Sequence, residues 1–148
     1  MTESQTIHAV RVAIAVIFDA ENKNVLIGRR TDKQPLGGYW EFPGGKCDSN
    51  ETPEECLVRE VREETGIEVE ILRSWSPIDH TYTHAAVRIY PFICRHKTGN
   101  PQPLSTSELR WIRADELADY RFPPANNVLL QDVQRGLTHL MENPVPAR

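Results

Sequence analysis

Residues 45–67 read GKCDSNETPEECLVREVREETGI and gather Glu51, Arg59, Glu60, Glu63 and Glu64. On a helix turning about 100° per residue, Glu60, Glu63 and Glu64 fall within an arc of roughly 100°, so three carboxylates share one surface. Like charges at that spacing repel, and a cation has to offset them. Arg59 can pair with Glu63 one turn on, but one guanidinium does not neutralise the set. Hard oxygen donors favour Mg²⁺, with Mn²⁺ as a substitute, and such an ion keeps waters and bridges to phosphates. It polarises phosphoryl oxygens and acidifies a bound water. Away from this spacing, Glu63-Glu64 would read as an ordinary solvated charge pair.

The same stretch carries its own positioning signals. Thr52 suits a helix cap, Pro53 the first helical position, and Glu55 completes a Thr-x-x-Glu capping box. Gly66 supplies the left-handed residue that ends the helix. Leu57, Val58 and Val61 lie beside the acidic arc and anchor the helix on a core, while Glu55 and Arg62 face solvent. Just upstream, Tyr39-Trp40-Glu41-Phe42 leads into Pro43-Gly44-Gly45, where backbone has to turn tightly and approach a ligand.

Residues 10–18 read as a buried strand, followed by a turn over 19–24 and a second strand over 25–28. Residues 29–38 read as a loop. Further strands are expected over 67–74, 80–84, 87–95 and 109–113, with Pro91 pushing the third of these to an edge or a bulge. Residues 115–120 read as a brief helix and 127–141 as a longer one, with Leu130, Val133, Leu137 and Leu140 on one stripe. No repeat or linker divides the 148 residues, so the expectation is an α/β sandwich in one domain over 1–148, with 1–8 and 142–148 as loose tails.

A net charge of −4 gives no reason to expect stable nucleic-acid or membrane-surface binding, so an anionic substrate has to be met locally. No run is long enough to span a membrane, and the polar start MTESQTIH lacks a signal-peptide core; a cytoplasmic protein is expected. Cys47, Cys56 and Cys94 are odd in number and lack a paired metal spacing, so they read as reduced thiols, with Cys56 as a small packing residue.

Taken together, Gly45, Glu51, Arg59-Glu60-Val61, Glu63-Glu64 and Gly66-Ile67 stand at spacings that resemble the Nudix box without a departure. The resemblance implies the Nudix fold, an α/β/α sandwich with a mixed central sheet, and an enzyme that cuts a diphosphate linkage with divalent metal. It also implies that Glu60, Glu63, Glu64 and the Gly44 carbonyl hold the metal and that Glu60 can take the proton of the attacking water. Arg59 would orient the glutamates and Glu51 would close the loop. One position departs from the family: a further glutamate often precedes the late-strand tryptophan by six residues, and counting back from Trp111 gives Ser105, with Glu108 the nearest substitute.

Phe122-Pro123-Pro124-Ala125-Asn126, together with Arg29-Arg30 and the run Phe42-Pro43-Gly44-Gly45-Lys46, resembles the 8-oxo-dGTP diphosphatase branch of the family over about residues 10–140. That implies a nucleoside triphosphate substrate, converted to monophosphate and pyrophosphate in a role that cleans the nucleotide pool. Asn126 matches the position that reads the oxidised guanine. An amide both donates and accepts, which suits O6 beside a protonated N7. Arg30 matches a substrate-contacting arginine and Phe42 a pocket aromatic, and Lys46 beside the metal loop is placed to steady phosphates. His84 and Ala85 depart from that branch in the strand whose backbone should meet the base, although His84 maps to a pocket-lining place. Plainer roles stand beside these: Asn126 as a helix cap, Arg30 and Lys46 as surface charges, Phe42 as core and His84 as a polar neighbour. Two alternatives stay open, a CTP or 5-methyl-dCTP pyrophosphohydrolase and a non-catalytic 8-oxoguanine-binding Nudix-like module. The choice of alpha or beta phosphorus and of monomer or homodimer also stays open.

Overall fold

The computed structural model describes residues 10–81, 85–126 and 130–131. Its centre is β1 (Val10–Phe18), a run of Val, Ile and Ala buried on both faces over its second half. Such a run suits a strand covered on both sides. A turn over 19–23 leads to β2 (Asn24–Arg29), and Asp19 closes it by accepting from the Lys23 amide at 2.9 Å and the Asn24 side chain at 2.8 Å. Then follow β3 (Trp40–Glu41), β4 (Gly44–Lys46), the helix α1 (Pro53–Thr65), β5 (Glu68–Ser74), β6 (Ile78–Thr81), β7 (Ala86–Thr98) and β8 (Glu108–Arg113). Short 3-10 turns cover Ala114–Asp119 and Pro124–Asn126.

All eight strands join one mixed sheet in the order β3-β2-β1-β7-β5, with β4 on β1, β6 on β7 and β8 on β2. β1 runs parallel to β7 from Val10↔Val87 to Phe18↔Arg95 and antiparallel to β4 at Val12↔Lys46, Ala13↔Gly45 and Ile14↔Gly44. The glycine loop is thus hydrogen-bonded into the sheet and not merely looped over it. Alternation along β1 sends Ile14, Val16 and Phe18 into one core with Trp40, Phe42, Ile112 and Phe122. It sends Ala13, Ala15 and Ile17 into a second core with Leu57 and Val61 of α1. Burying each of those two helix side chains stabilises the packing by about 1.5–3 kcal/mol.

The helix signals are realised. Thr52 accepts from the Glu55 amide at 3.1 Å, Glu55 accepts from the Thr52 amide at 2.9 Å, and Gly66 caps the far end at φ 75°. The strand expectations hold with shifted ends, and 82–84 lie outside the described residues. Pro91 departs from expectation. It sits inside the central strand β7, opposite Ile14. Its carbonyl accepts from the Trp75 amide at 2.9 Å, on the flank where, along β7, pairing with β6 stops at Ile78↔Ile89 and pairing with β5 starts at Ser74↔Phe92. The missing N–H falls where β7 changes partners, so no ladder bond is lost.

The cysteine expectation is also corrected. Cys47 and Cys56 form a disulfide with Cα atoms 5.1 Å apart, and Cys94 is a buried free thiol. Pairing β4 with β1 while α1 packs across β1 brings Cys47 to the first turn of the helix, a juxtaposition that nine residues of sequence separation do not reveal. The helix expected over 127–141 and both tails lie outside the described residues except for Leu130 and Gln131, which are helical, with Leu130 packed on the first core. No helix among the described residues is long and apolar enough to cross a membrane.

Thr52→Ala removes one half of the capping box. Chemical denaturation should show a loss of about 1 kcal/mol with an unchanged slope. An unaltered midpoint would show that packing alone fixes where α1 begins.

Candidate active site

Two glycines decide how close α1 comes to the sheet. A Cβ on Gly44 would lie 2.0 Å from the Ala13 carbonyl oxygen, and one on Gly45 would lie 2.1 Å from Glu60 Oε2. Only bare backbone fits between β1 and the carboxylates. The Gly44 amide donates to Glu64 Oε1 at 3.3 Å, tying the loop to the last turn of the helix.

The three glutamates expected to share one surface are divided by the fold. Glu64 is 9% exposed. Glu60 is mostly covered, whereas the Glu63 side chain is 59% exposed and hangs at the rim. Residues 60 and 64, one turn apart, turn toward β4, and residue 63 points past its edge. Among the described residues, no three carboxylate, imidazole or thiol groups already converge into a metal shell.

Arg59 organises the outer side of this group. It donates to Glu51 from Nε at 2.6 Å and from one terminal nitrogen at 2.8 Å, a bidentate pair. It also reaches Glu60 at 3.0 Å, Glu63 at 3.2 Å and the Lys46 carbonyl at 3.1 Å. Glu51 in turn accepts from the Asp48 amide at 2.9 Å, which closes the loop between β4 and α1. The Arg59 hydrogen bonds pull the Glu51 carboxyl down to about 2, and Glu51 raises Arg59 above its ordinary value. Lys46 is exposed at the end of β4.

The inner side has a carboxylate that sequence reasoning passed over. Glu41, between buried Trp40 and Phe42, binds Arg30 at 2.5 Å. A charged residue alternating with two buried aromatics was the available signal. Burial raises the Glu41 carboxyl against the opposing pull of Arg30. Burial, then Glu41, then Glu60 push Glu64 up to about 8, against the Gly44 hydrogen bond. Glu64 is therefore a buried oxygen donor whose negative form lacks a sufficient counter-charge. Its surroundings fit a hard divalent cation: the Glu41 and Glu60 carboxylates lie near enough to raise it further, an excess of negative charge that Arg30 only partly offsets.

A cavity of about 260 Å³ opens beside this group, lined among others by Arg30, Glu41, Phe42, Gly44, Gly45 and Asn126. Phe42 is buried, with its ring centroid 5.1 Å from that of Phe122, and also faces the cavity, so its core and pocket roles coexist. Asn126 ends a 3-10 turn, its amide donating to the Pro123 carbonyl at 2.9 Å. Arg30 is steadied by Glu41 and by the Pro35 carbonyl at 2.8 Å. His84 lies outside the described residues. Ser105 is exposed, and Glu108 is held by Arg110 at 2.5 Å, whose guanidinium lies 5.0 Å over the Trp40 ring.

The family model described as the NUDIX domain matches residues 13–132. This chain belongs to the Nudix family. An 8-oxo-dGTP diphosphatase of Proteus vulgaris is 49% identical over 69 residues, covering 47% of this chain and 58% of that protein. The CTP pyrophosphohydrolase of Escherichia coli strain K12 is 28% identical over 118 residues, covering 80% of this chain and 87% of that one. A structure from work on MutT of Aliivibrio salmonicida and Vibrio cholerae superposes with a TM-score of 0.68 at 26% identity, covering 85% of this chain and 96% of its own. The protein is thus a MutT-like Nudix hydrolase with the α/β Nudix fold, acting on a diphosphate linkage. Nudix hydrolases generally use divalent cations.

The raised Glu64 value gives a signed pH dependence. Between the ordinary 4.5 and about 8 the folded chain keeps a proton on Glu64 that the unfolded chain has lost, so this contribution to stability fades as pH rises through that window. A cation held by Glu64, as the box implies, would compete with the same proton. Mn²⁺ affinity should therefore tighten about tenfold or more from about pH 6.5 to about pH 8.5, with proton release in calorimetry, and Glu64→Gln should flatten the slope. Equal affinity at both ends of that range in the unaltered protein would contradict the raised value.

Proposed function

We propose that this Nudix hydrolase is a nucleoside triphosphate pyrophosphohydrolase of MutT type that converts 8-oxo-dGTP, or a related oxidised purine nucleotide, to the monophosphate and pyrophosphate. Such a role would clean the nucleotide pool, in the cytoplasm. The observation that carries this is the shared cavity: Asn126 and Phe42 line the same space as Gly44 and Gly45 beside the box glutamates. A base held at one end would leave its phosphates at the other.

Glu60, Glu64, rim-placed Glu63 and the Gly44 carbonyl would hold Mg²⁺, or Mn²⁺ in its place. The ion, when bound, supplies charge stabilisation for the phosphoryl oxygens and a more acidic water. The chain's own groups do the positioning. Arg59 fixes Glu60 and Glu63 from outside while Glu51 fixes Arg59, and the Gly44 amide fixes Glu64. Glu60 can take the proton of the attacking water. Lys46, exposed beside the loop, can meet phosphate oxygens. Such catalysis rests on placement and charge rather than on a covalent intermediate.

Asn126 offers both a donor and an acceptor, which fits O6 beside a protonated N7. Arg30, lining the same cavity with Glu41, would contact the bound nucleotide. Glu41 favours a second substrate class. Its carboxylate lines the cavity and can accept from the exocyclic amino group of a cytosine, so a CTP or 5-methyl-dCTP pyrophosphohydrolase is the competing proposal.

Turnover with Mg²⁺ of 8-oxo-dGTP, dGTP, CTP and 5-methyl-dCTP separates the two, with monophosphate and pyrophosphate quantified individually. The oxidised purine should lead in kcat/KM, and Asn126→Ala should cut its lead over dGTP by roughly ten- to hundredfold, the value of a good bidentate base contact. A lead for either cytosine nucleotide would overturn the purine assignment and leave the metal chemistry standing.

A further inference from the structure

The Cys47–Cys56 bridge joins the two elements that carry the proposed metal donors. Cys47 directly follows β4, which holds Gly44 and Gly45, and Cys56 lies in the first turn of α1, one turn before Glu60. The bridge encloses residues 48–55, and Glu51 within them holds Arg59. We propose that this pair is a redox-reversible clamp on the metal-binding loop, closed by a hydroperoxide and opened by a dithiol.

Exposure assigns the sulfurs their parts. Cys56 is fully buried and Cys47 is only half-buried, so an incoming reagent meets the sulfur of Cys47. In the dithiol form, Cys47 thiolate attacks the hydroperoxide. A sulfur–oxygen bond forms, the oxygen–oxygen bond breaks, and the alkoxide (hydroxide, for hydrogen peroxide) leaves and takes a proton from solvent to become the alcohol or water, giving a sulfenic acid. Cys56 then attacks that sulfur, the disulfide forms and water leaves. The two sulfurs together lose two electrons and the peroxide gains them.

Opening reverses the connectivity through other atoms. A dithiol reductant attacks Cys47, Cys56 departs as thiolate and takes a proton, and the second thiol of the reductant displaces Cys47 from the mixed disulfide. The Cys56 sulfur lies 3.6 Å from the Gly45 carbonyl oxygen, so the released thiol finds an acceptor on the same loop. Cys94 takes no part: it is buried on β7, and burial holds its thiol above the ordinary value.

The clamp matters because the loop-to-helix fit is so close. With a Gly45 Cβ excluded by Glu60 at 2.1 Å and the Gly44 amide on Glu64 at 3.3 Å, a small shift of β4 against α1 moves the glycine backbone relative to both glutamates. Reduction frees the loop ends and should weaken metal binding without unfolding the sheet. This rests on the metal assignment above, and on nothing about the base.

The test uses the whole protein without substrate, reduced with dithiothreitol or oxidised with hydrogen peroxide. Mass mapping should find a Cys47–Cys56 cross-linked peptide only after oxidation, and Mn²⁺ titration followed by electron paramagnetic resonance should find binding weaker by roughly tenfold in the reduced form, the low end of what disturbing a metal's supporting shell costs. Cys47→Ser should stay at the weaker value under both treatments. Cysteines that remain thiols in peroxide, or equal Mn²⁺ affinity in the two forms, would overturn the clamp and leave the metal site intact. Failure of Mn²⁺ to bind either form would overturn both.

Discussion

The close approach of the Gly44-Gly45 backbone to the last turns of α1 is the constraint on which the rest of the site depends. Because β4 pairs with β1 at Ala13↔Gly45 and Ile14↔Gly44, the sheet sets the loop beside the helix. Because α1 buries Leu57 and Val61 against Ala13, Ala15 and Ile17, the helix is packed onto the same strand. Side chains are excluded from the interval, so backbone groups and carboxylates face each other directly. That is the arrangement a hard cation and a diphosphate require: fixed oxygens, fixed amide dipoles and little room for rearrangement.

Charge is apportioned across that interval unequally. Arg59 spends its fork on Glu51 and reaches Glu60 and Glu63, so the outer carboxylates have a resident counter-ion. On the inner side Arg30 is taken up by Glu41, and Glu64 is left buried between two like charges with one amide for support. Below about pH 8 the folded chain therefore holds a proton on Glu64. A divalent cation bound there would replace that proton, linking metal binding, proton release and pH through a single carboxyl group.

Local signals made the helix legible. Thr52, Pro53, Glu55 and Gly66 specify its ends through hydrogen bonds within a few residues, and all of them are made. The central strand was legible for the same reason, since the apolar run from Val12 to Phe18 has few other homes. What escaped was set by contacts distant in sequence. Pro91 is harmless in a central strand only because β6 hands over to β5 beside it. Glu63 and Glu64 look alike on a helical wheel, yet one is 59% exposed on its side chain and the other is buried, because β4 covers only part of the arc. Glu41 and the Cys47–Cys56 bridge depend likewise on how β3 and β4 lie against their neighbours.

Crystals soaked in Mn²⁺ and measured at its absorption edge would locate the cation directly. An anomalous peak within coordination distance of Glu64, Glu60 and the Gly44 carbonyl is the expected result, with Glu63 drawn in from the rim. A peak that avoids Glu64 and the Gly44 carbonyl, in crystals that still turn over substrate, would contradict the assignment of this loop and helix as the metal-binding centre.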